Sequence, residues 1–461
     1  MKNDVRALDA VNPKGATSVV RDRRAVAALL IAVALATLDT AIANTALPAI
    51  ASDLHVAPAV SVWVINAYQL AMVATVLPLA SFGDIIGHRR IYIGGLAIFT
   101  IASLACANAT SLTELAMARA LQGLGASGIM SVNAALLRFI FPPDRLGRGV
   151  GLNALVVGVG FAVGPSVASL VLSVASWPWL FGINVPFGLM ALAVALPSLP
   201  HSPRSARRFD GIAAGLNVVA FTSLMVALSS AAQREPARLW AGALVAALVF
   251  GALLIRREQD SNAPILPIDL YRRPAFALSS VTAICSFAAQ GLAFVSLPFL
   301  FEGILHRDQV DTGFLISPWS IVVALTAPVA GRLSDRYPPG ILGGIGLAVL
   351  AMGMASLALL PTSPHTVDIS IRMAICGAGF GFFQSPNLNA LMSSAPPERS
   401  GGASGTIATS RLLGQSMGAA LTALCFSLTG LHGSMYALWL GALFAGLASV
   451  ASVMRLVVPT S

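Results

Sequence analysis

The sequence predicts an all-α integral membrane protein of fourteen transmembrane helices, and three observations predict it. Fourteen long apolar stretches recur along the 461 residues, each able to supply the roughly 20 helical residues that cross a hydrocarbon core. Hydrophobic residues make up 56% of the chain and charged ones only 10%, whereas about a quarter of a soluble domain is charged. The mean hydropathy is +0.81. Finally, the basic residues collect on alternate loops, which is how polytopic proteins fix their orientation.

Taken in order, the first stretch (25–50) is longer than the roughly 7–15 residues of a signal-peptide core, so it is expected to stay as helix 1. Helices 2 to 6 follow at 60–82, 91–109, 112–137, 150–172 and 178–199. Helices 7 and 8 take 211–231 and 238–255, and helices 9 to 14 take 276–301, 312–330, 341–360, 368–394, 402–428 and 433–457. Eight of the fourteen contain no Asp, Glu, Lys or Arg, so the charges that do enter the membrane form the functional shortlist.

A net charge of +9 invites a nucleic-acid reading, and the placement of the arginines argues against it. Of the 28 basic residues, 22 fall on the N-terminal tail and successive even-numbered loops, including Arg89 and Arg90, Arg138, Arg256 and Arg257, Arg332 and Arg336. The opposite loops hold only Arg234, Arg238 and Arg307. Both termini are therefore expected in the cytoplasm and the chain in the cell inner (plasma) membrane. The four cysteines lie in apolar stretches without CxxC spacing and read as ordinary helix packing.

An internal repeat divides the chain. Asp84 and Asp335, in similar loops after helices 2 and 10, are 251 residues apart; Arg119 and Arg372 are 253 apart, and Gly164 and Gly414 are 250 apart. A near-constant offset predicts two six-helix bundles in one orientation. The predicted division is a cytoplasmic tail (1–24), an N-terminal bundle (25–199), a linker carrying two inserted helices (200–275), a C-terminal bundle (276–457) and a short tail (458–461).

Four local motifs carry a more specific resemblance. Leu38-Asp39-Thr40-Ala-Ile-Ala-Asn44-Thr-Ala-Leu47-Pro48, Arg119-Ala-Leu-Gln122-Gly123-Leu-Gly125, Gly160-Phe-Ala-Val-Gly164-Pro165 and Trp177-Pro-Trp179-Leu-Phe-Gly-Ile-Asn184-Val-Pro186-Phe-Gly188 resemble motifs of helices 1, 4, 5 and 6 in the fourteen-helix drug/proton antiporter branch of the major facilitator superfamily. The resemblance covers residues 25–457 and implies that superfamily's fold. Two departures are visible: Ile85 stands where an arginine usually follows the loop aspartate, and Ala168-Ser169 replaces paired glycines.

Asp39 is the one acid deep inside a span, and a carboxylate at a helix centre costs about 2.5–3.5 kcal/mol on insertion scales. Ala32, Ala36, Ala43 and Ala46 make its surroundings on the helix small, which suits close packing away from lipid. At 1.5 Å per residue Asp39 lies about 9 Å, and Arg119 about 10 Å, below the same edge of a 30 Å core. The two are expected to pair when the acid is ionised and to separate when it is protonated. The competing reading is a fixed buried ion pair. Desolvation and a nearby guanidinium pull a carboxyl in opposite directions, which is what a proton-coupling site needs.

Arg411 falls near the midplane of helix 13, where it either faces a substrate cavity or satisfies backbone carbonyls. Asn44, Gln122 and Gln290 are further candidate cavity residues. Glu302 falls at or beyond the outer surface, as a solvated loop residue or a vestibule acid. Asp84, Gly87, Arg89, Arg90, Asp335 and Arg336 hold short loops that, in the family, latch the halves; glycine permits the turn and the acid can cap the next helix. Positive-inside anchoring alone explains those arginines but not the aspartates. Gly160, Gly164 and Pro165 suit a closely packed helix that bends at the proline.

Other chemistries fail on context. Gly123-Leu-Gly125-Ala-Ser-Gly128 and Gly414-Gln-Ser416-Met-Gly418 match nucleotide-binding and nucleophile-elbow strings, but both need a preceding strand. The six histidines all fall outside the apolar spans, and the only lysines, Lys2 and Lys14, follow Met1 and Pro13, so there is no Gly-Lys phosphate loop. The expectation is a non-enzymatic, cofactor-free antiporter, acting as a monomer without a nucleic-acid partner, that exchanges protons for lipophilic small molecules or drugs. Alternatives are export of an endogenous, possibly anionic metabolite, and a non-transporting receptor or scaffold of the same fold.

Overall fold

The computed structural model describes residues 16–141, 146–200, 209–232, 235–259, 268–334, 336–394 and 400–457. Asp335 and the loop arginines Arg145, Arg204, Arg207, Arg208 and Arg399 lie outside the described residues. The long helices are α1 (Ala16–Asp53), α2 (Trp63–Ile86), α3 (His88–Ala107), α4 (Leu112–Ile140), α5 (Leu146–Val174), α6 (Asn184–Ser198) and α7 (Gly211–Ala232). They continue with α8 (Ala237–Glu258), α9 (Pro274–Phe299), α10 (Gln309–Leu333), α11 (Pro339–Ala358), α12 (Thr366–Ser393), α13 (Ser400–Thr429) and α14 (Gly433–Met454).

Thirteen continuous segments among the described residues are long and apolar enough to cross a membrane, and the last runs 50 residues, Gly405–Met454. At 1.5 Å per residue that is about 75 Å, more than twice a hydrocarbon core. The segment breaks at the 3-10 turn Gly430–His432, where Gly430 takes φ 60°, and a Cβ on Gly433 would strike the backbone of Cys425. The chain therefore reverses there and makes fourteen crossings. An even number places Arg23 and Arg455 on one face of the bundle, called here the terminal face; the other is the distal face.

Helix ends follow local chemistry. Ser111 caps α4 by accepting from the Glu114 amide at 3.3 Å, while Glu114 accepts in return from the Thr110 amide at 2.9 Å, a reciprocal arrangement that satisfies exposed first-turn donors. Asp308 caps α10 at 2.6 Å. Gly87 joins α2 to α3 with φ 105°, a conformation that side chains resist.

Close approach of helices, rather than water-driven burial, holds such a bundle together. Cβ atoms on Gly95 and Gly125 would each collide with the partner's backbone across the α3–α4 contact, and the same holds for Gly346 and Gly379 across α11–α12. Gly123 lies against the carbonyl of Tyr68, and Gly377 lies likewise against Trp319. These contacts recur at offsets of 251 and 254 residues. Gly160 and Gly164 press α5 on Thr37 and Ala41 of α1.

Three apolar clusters show how the halves meet. One lies in α1–α6, with Leu412 as its one buried member from the C-terminal half. A second lies in α9–α12 and α14. The third joins Ile42, Ala46 and Val64 to Val295, Phe299, Ala419 and Phe426 near the distal face. There Ser166 of α5 and Ser317 of α10 are hydrogen bonded at 2.7 Å, and Gly313 admits Ser169 and the Pro165 carbonyl so closely that any Cβ would clash. The inserted α7 packs on α2 and α13, donating from Asn217 to the Ala74 carbonyl at 2.8 Å. α8 packs chiefly on α7 and turns Leu244, Val245, Leu248 and Val249 outward.

Candidate functional site

Asp39 and Arg119 meet. An Arg119 Nη1 donates to Asp39 Oδ2 at 2.5 Å, and each residue is 1% exposed. The other carboxylate oxygen, Oδ1, accepts from Gln122 Nε2 and from Asn184 Nδ2, both at 2.8 Å. Three helices thus converge on one carboxylate: α1 supplies it, α4 supplies Arg119 and Gln122 one turn apart, and α6 brings Asn184 at its first residue. Ser103 of α3 accepts from Gln122 Nε2 at 2.8 Å. The small α1 residues Ala32, Ala36, Ala43 and Ala46 are all buried, and that lets the neighbouring helices close around the acid.

The guanidinium is held by more than its counter-ion. Its Nε donates to the Val64 carbonyl at 3.1 Å and Nη1 to Gln122 Oε1 at 2.6 Å. The Tyr68 ring centroid is 4.2 Å from its Cζ, and that of Phe181 is 5.4 Å away. Cation–π contacts of this kind are worth about 2 kcal/mol when desolvated. A buried arginine with these alternatives keeps partners if the carboxylate becomes neutral, which a simple two-residue ion pair does not offer. Asp53 at the end of α1 accepts from Trp177 Nε1 at 2.7 Å, fixing the short helix Pro178–Gly182 that leads Asn184 into place.

A cavity lies on the other side of Tyr68, toward the terminal face from the distal seam. It is lined by Ala36, Thr37, Thr40, Tyr68, Gln69, Met72, Met130, Phe161, Arg411, Leu412 and Gln415. Both halves contribute to it. Of the four candidate cavity residues, Arg411 lines it directly. Gln290 accepts from the lining residue Gln415 at 3.1 Å and stands just behind the wall. Gln122 belongs to the carboxylate cluster instead, and Asn44, 8% exposed, sits outside the lining with its side-chain oxygen unpartnered.

The loop residues are spread out. Asp84 pairs with His88 one turn away at 3.1 Å when that ring is protonated; no side chain caps α3, so the expected capping by this acid is not what the structure has. Arg89 donates to the Leu196 carbonyl at the end of α6, while Arg90 and Arg336 are exposed. Glu302 is half-buried in a π-helical turn, Leu300–Ile304, that prolongs α9, rather than a solvated loop residue. Arg372, the repeat counterpart of Arg119, pairs within its own helix with Asp368 at 2.9 Å. At the terminal face Asp210 accepts Arg257 Nε at 2.9 Å; that guanidinium, with the Ala213 amide, holds the Asp210 carboxyl below its usual range.

Sequence reasoning missed Asn184, Tyr68 and Ser103 as members of the site. Asn184 stood inside the recognised motif before helix 6, which was its available signal; Tyr68 and Ser103 carried none.

Known proteins share the sequence and fold of this chain. The family described as Major Facilitator Superfamily matches residues 29–419. The uncharacterized transporter YebQ of Escherichia coli (strain K12) is 48% identical over 95% of this chain and 96% of its own. The multidrug resistance protein Stp of Mycobacterium tuberculosis (strain CDC 1551 / Oshkosh) is 30% identical over 88% of this chain and 74% of its own. The riboflavin transporter RibZ of Clostridioides difficile (strain 630) is 28% identical over 85% of each. Among solved structures, a POT family transporter in complex with a thioalcohol-conjugated peptide superposes with TM-score 0.72 over 94% of this chain and 96% of that one, at 13% identity, a likeness of fold.

Proposed function

We propose that this chain, which belongs to the Major Facilitator Superfamily, is a proton-driven exporter of lipophilic small molecules that works as a monomer in the bacterial inner membrane. One observation carries the reading: Asp39, an acid deep in the bundle, is paired with Arg119 and lies one aromatic ring from a cavity that both halves line.

The cycle follows from the parts. With the termini in the cytoplasm, the distal seam formed by α5 and α10 closes the periplasmic side, and the cavity takes cargo from within. Rocking the halves opens the seam and exposes the Asp39 cluster to the outside. Protonation of Asp39 there neutralises the carboxylate, and Arg119 relaxes onto Gln122, the Val64 carbonyl and Tyr68. Because Tyr68 also forms the cavity wall, movement of Arg119 alters the surface that the cargo touches. One proton moving down about 100 mV supplies about 2.3 kcal/mol, sufficient for a roughly 50-fold gradient of a neutral solute.

Relatives named for multidrug resistance and for tetracenomycin C resistance and export support the small-molecule reading. The experiment is accumulation of a lipophilic dye in cells that express the chain, with and without an uncoupler. Expression lowers accumulation, and the uncoupler removes the difference. A difference that survives collapse of the gradient contradicts the reading.

A further inference from the structure

We propose that the cargo is an amphiphilic organic monoanion, an aromatic or otherwise apolar body carrying one carboxylate- or sulfonate-like group, and that Arg411 receives that group. The inference rests on the transport reading above and narrows its cargo.

Among the described residues, Arg411 is the only charged one in the cavity lining. Among the described residues it makes no hydrogen bond to protein, and it is absent from the ion pairs there. An arginine stays protonated in proteins, and an isolated charge at mid-membrane is costly unless something compensates it. Among the described residues no acid pairs with it. Asp39 is consumed by Arg119, Gln122 and Asn184. In the C-terminal half the position 251 residues after Asp39 is an amide, Gln290, which binds Gln415. Among the described residues, the cavity lining therefore presents one positive group and no acid.

The rest of the lining fits the remainder of such a molecule. Gln69, only 4% exposed, has its Oε1 unpartnered, a polar site for a donor on the cargo. Met72, Met130, Phe161 and Leu412 give the apolar body a surface, with methionine side chains that adapt to varied shapes. A cation placed in this cavity meets Arg411 without screening, so cationic compounds are excluded by like charge.

The charge of the cargo changes the energetics of the cycle. Exchange of one entering proton for one leaving anion moves two charges across the membrane, where exchange for a neutral molecule moves one and for a monocation none. Each charge is worth a roughly 50-fold gradient per 100 mV, so an interior-negative potential drives anion export twice over.

The test uses the full chain in lipid nanodiscs and proteoliposomes with three probes of matched shape: naphthalene-2-sulfonate, 2-naphthylmethanol and (2-naphthylmethyl)trimethylammonium. Binding above that of empty nanodiscs is expected to favour the sulfonate over the ammonium by about tenfold or more, the scale of one hydrogen-bonded charge. Arg411→Gln loses that preference and Arg411→Lys keeps most of it, which separates charge recognition from a folding defect. In proteoliposomes an imposed potassium diffusion potential accelerates sulfonate movement more than movement of the alcohol. Equal affinity for the sulfonate and the ammonium, no sulfonate binding, or a preference that survives Arg411→Gln overturns the proposal. If that happens while the alcohol still moves uphill in a proton-dependent way, only the cargo class falls. If the sulfonate binds through Arg411 but no probe moves uphill with a proton gradient, the cargo class stands and the coupling reading falls.

Discussion

Tyr68 lies across the guanidinium of Arg119, ring centroid to Cζ 4.2 Å, and the same residue lines the cavity that holds Arg411. The ring is thus the partition between the place where a proton is proposed to bind and the place where cargo is proposed to sit. Its packing is fixed on the far side by Gly123, which meets the Tyr68 carbonyl with no room for a Cβ. In the proposed cycle, a change in the charge of Asp39 reaches the cavity through Arg119 and this ring.

The amide donors on Asp39 hold its carboxylate in place. Gln122 and Asn184 each donate to Oδ1 at 2.8 Å, and a hydrogen bond to a charged group contributes about 1.5–3 kcal/mol. Replacing Asn184 with Leu removes one of the two amide donors to Oδ1. Transport is expected to slow about tenfold, measured as initial rates in inverted vesicles. An unchanged rate would place Asn184 outside the coupling machinery.

The distal seam is expected to open in every cycle. Ser166 and Ser317 approach to 2.7 Å between their hydroxyl oxygens, a separation that a disulfide can bridge with little movement. The double variant Ser166→Cys, Ser317→Cys should transport when reduced, stop on oxidation and resume with reductant. Transport that continues with the bond formed, verified by mass spectrometry, contradicts alternating access through this seam.

The Asp210–Arg257 pair ties the start of α7 to the end of α8. Because the folded carboxyl is held below its usual range, the pair's contribution is present above the ordinary carboxylate range and is lost as pH falls through the folded value. Both side chains are 41% exposed, so solvent screening limits the contribution to about 1 kcal/mol or less. Asp210→Asn should lower the melting temperature slightly at neutral pH and remove part of the acid-side decline. Parallel melting curves for the two proteins across pH would contradict this.

Gly87 is the hinge between α2 and α3. Its φ of 105° is one that a side chain adopts at a cost of order 1–3 kcal/mol. Gly87→Ala is expected to reduce thermal stability in detergent by that amount while leaving the α-helical content unchanged, as circular dichroism reads it. A variant as stable as the parent would mean the turn relaxes freely.

Much of this was legible before any coordinates. Helix number followed from apolar length, because a hydrocarbon core sets a fixed span. The repeat followed from constant offsets, and the glycine contacts at 251 and 254 residues give those offsets a physical meaning: the same close crossing made twice. Asp39 and Arg119 were legible because a charge in a membrane is rare and depth can be counted along a helix. Depth alone does not give the rotation of a helix about its axis, and that is why Gln122 was expected at the cavity although its side chain turns to Asp39. Tyr68 was out of reach for the same reason, and although Asn184 stood in the motif before helix 6, only the assembled bundle brings either of them to the pair. Glu302 was displaced from its expected loop by a π-helical turn that lengthens α9 beyond its apolar stretch.

The most direct measurement is uphill transport by Asp39→Asn in proteoliposomes with an imposed pH gradient. Asparagine preserves the shape of the site and its contacts with Gln122 and Asn184, but it does not ionise. The account predicts that this variant loses concentrative, gradient-driven movement of cargo while still equilibrating cargo across the membrane down its own gradient. Wild-type accumulation by Asp39→Asn would contradict it.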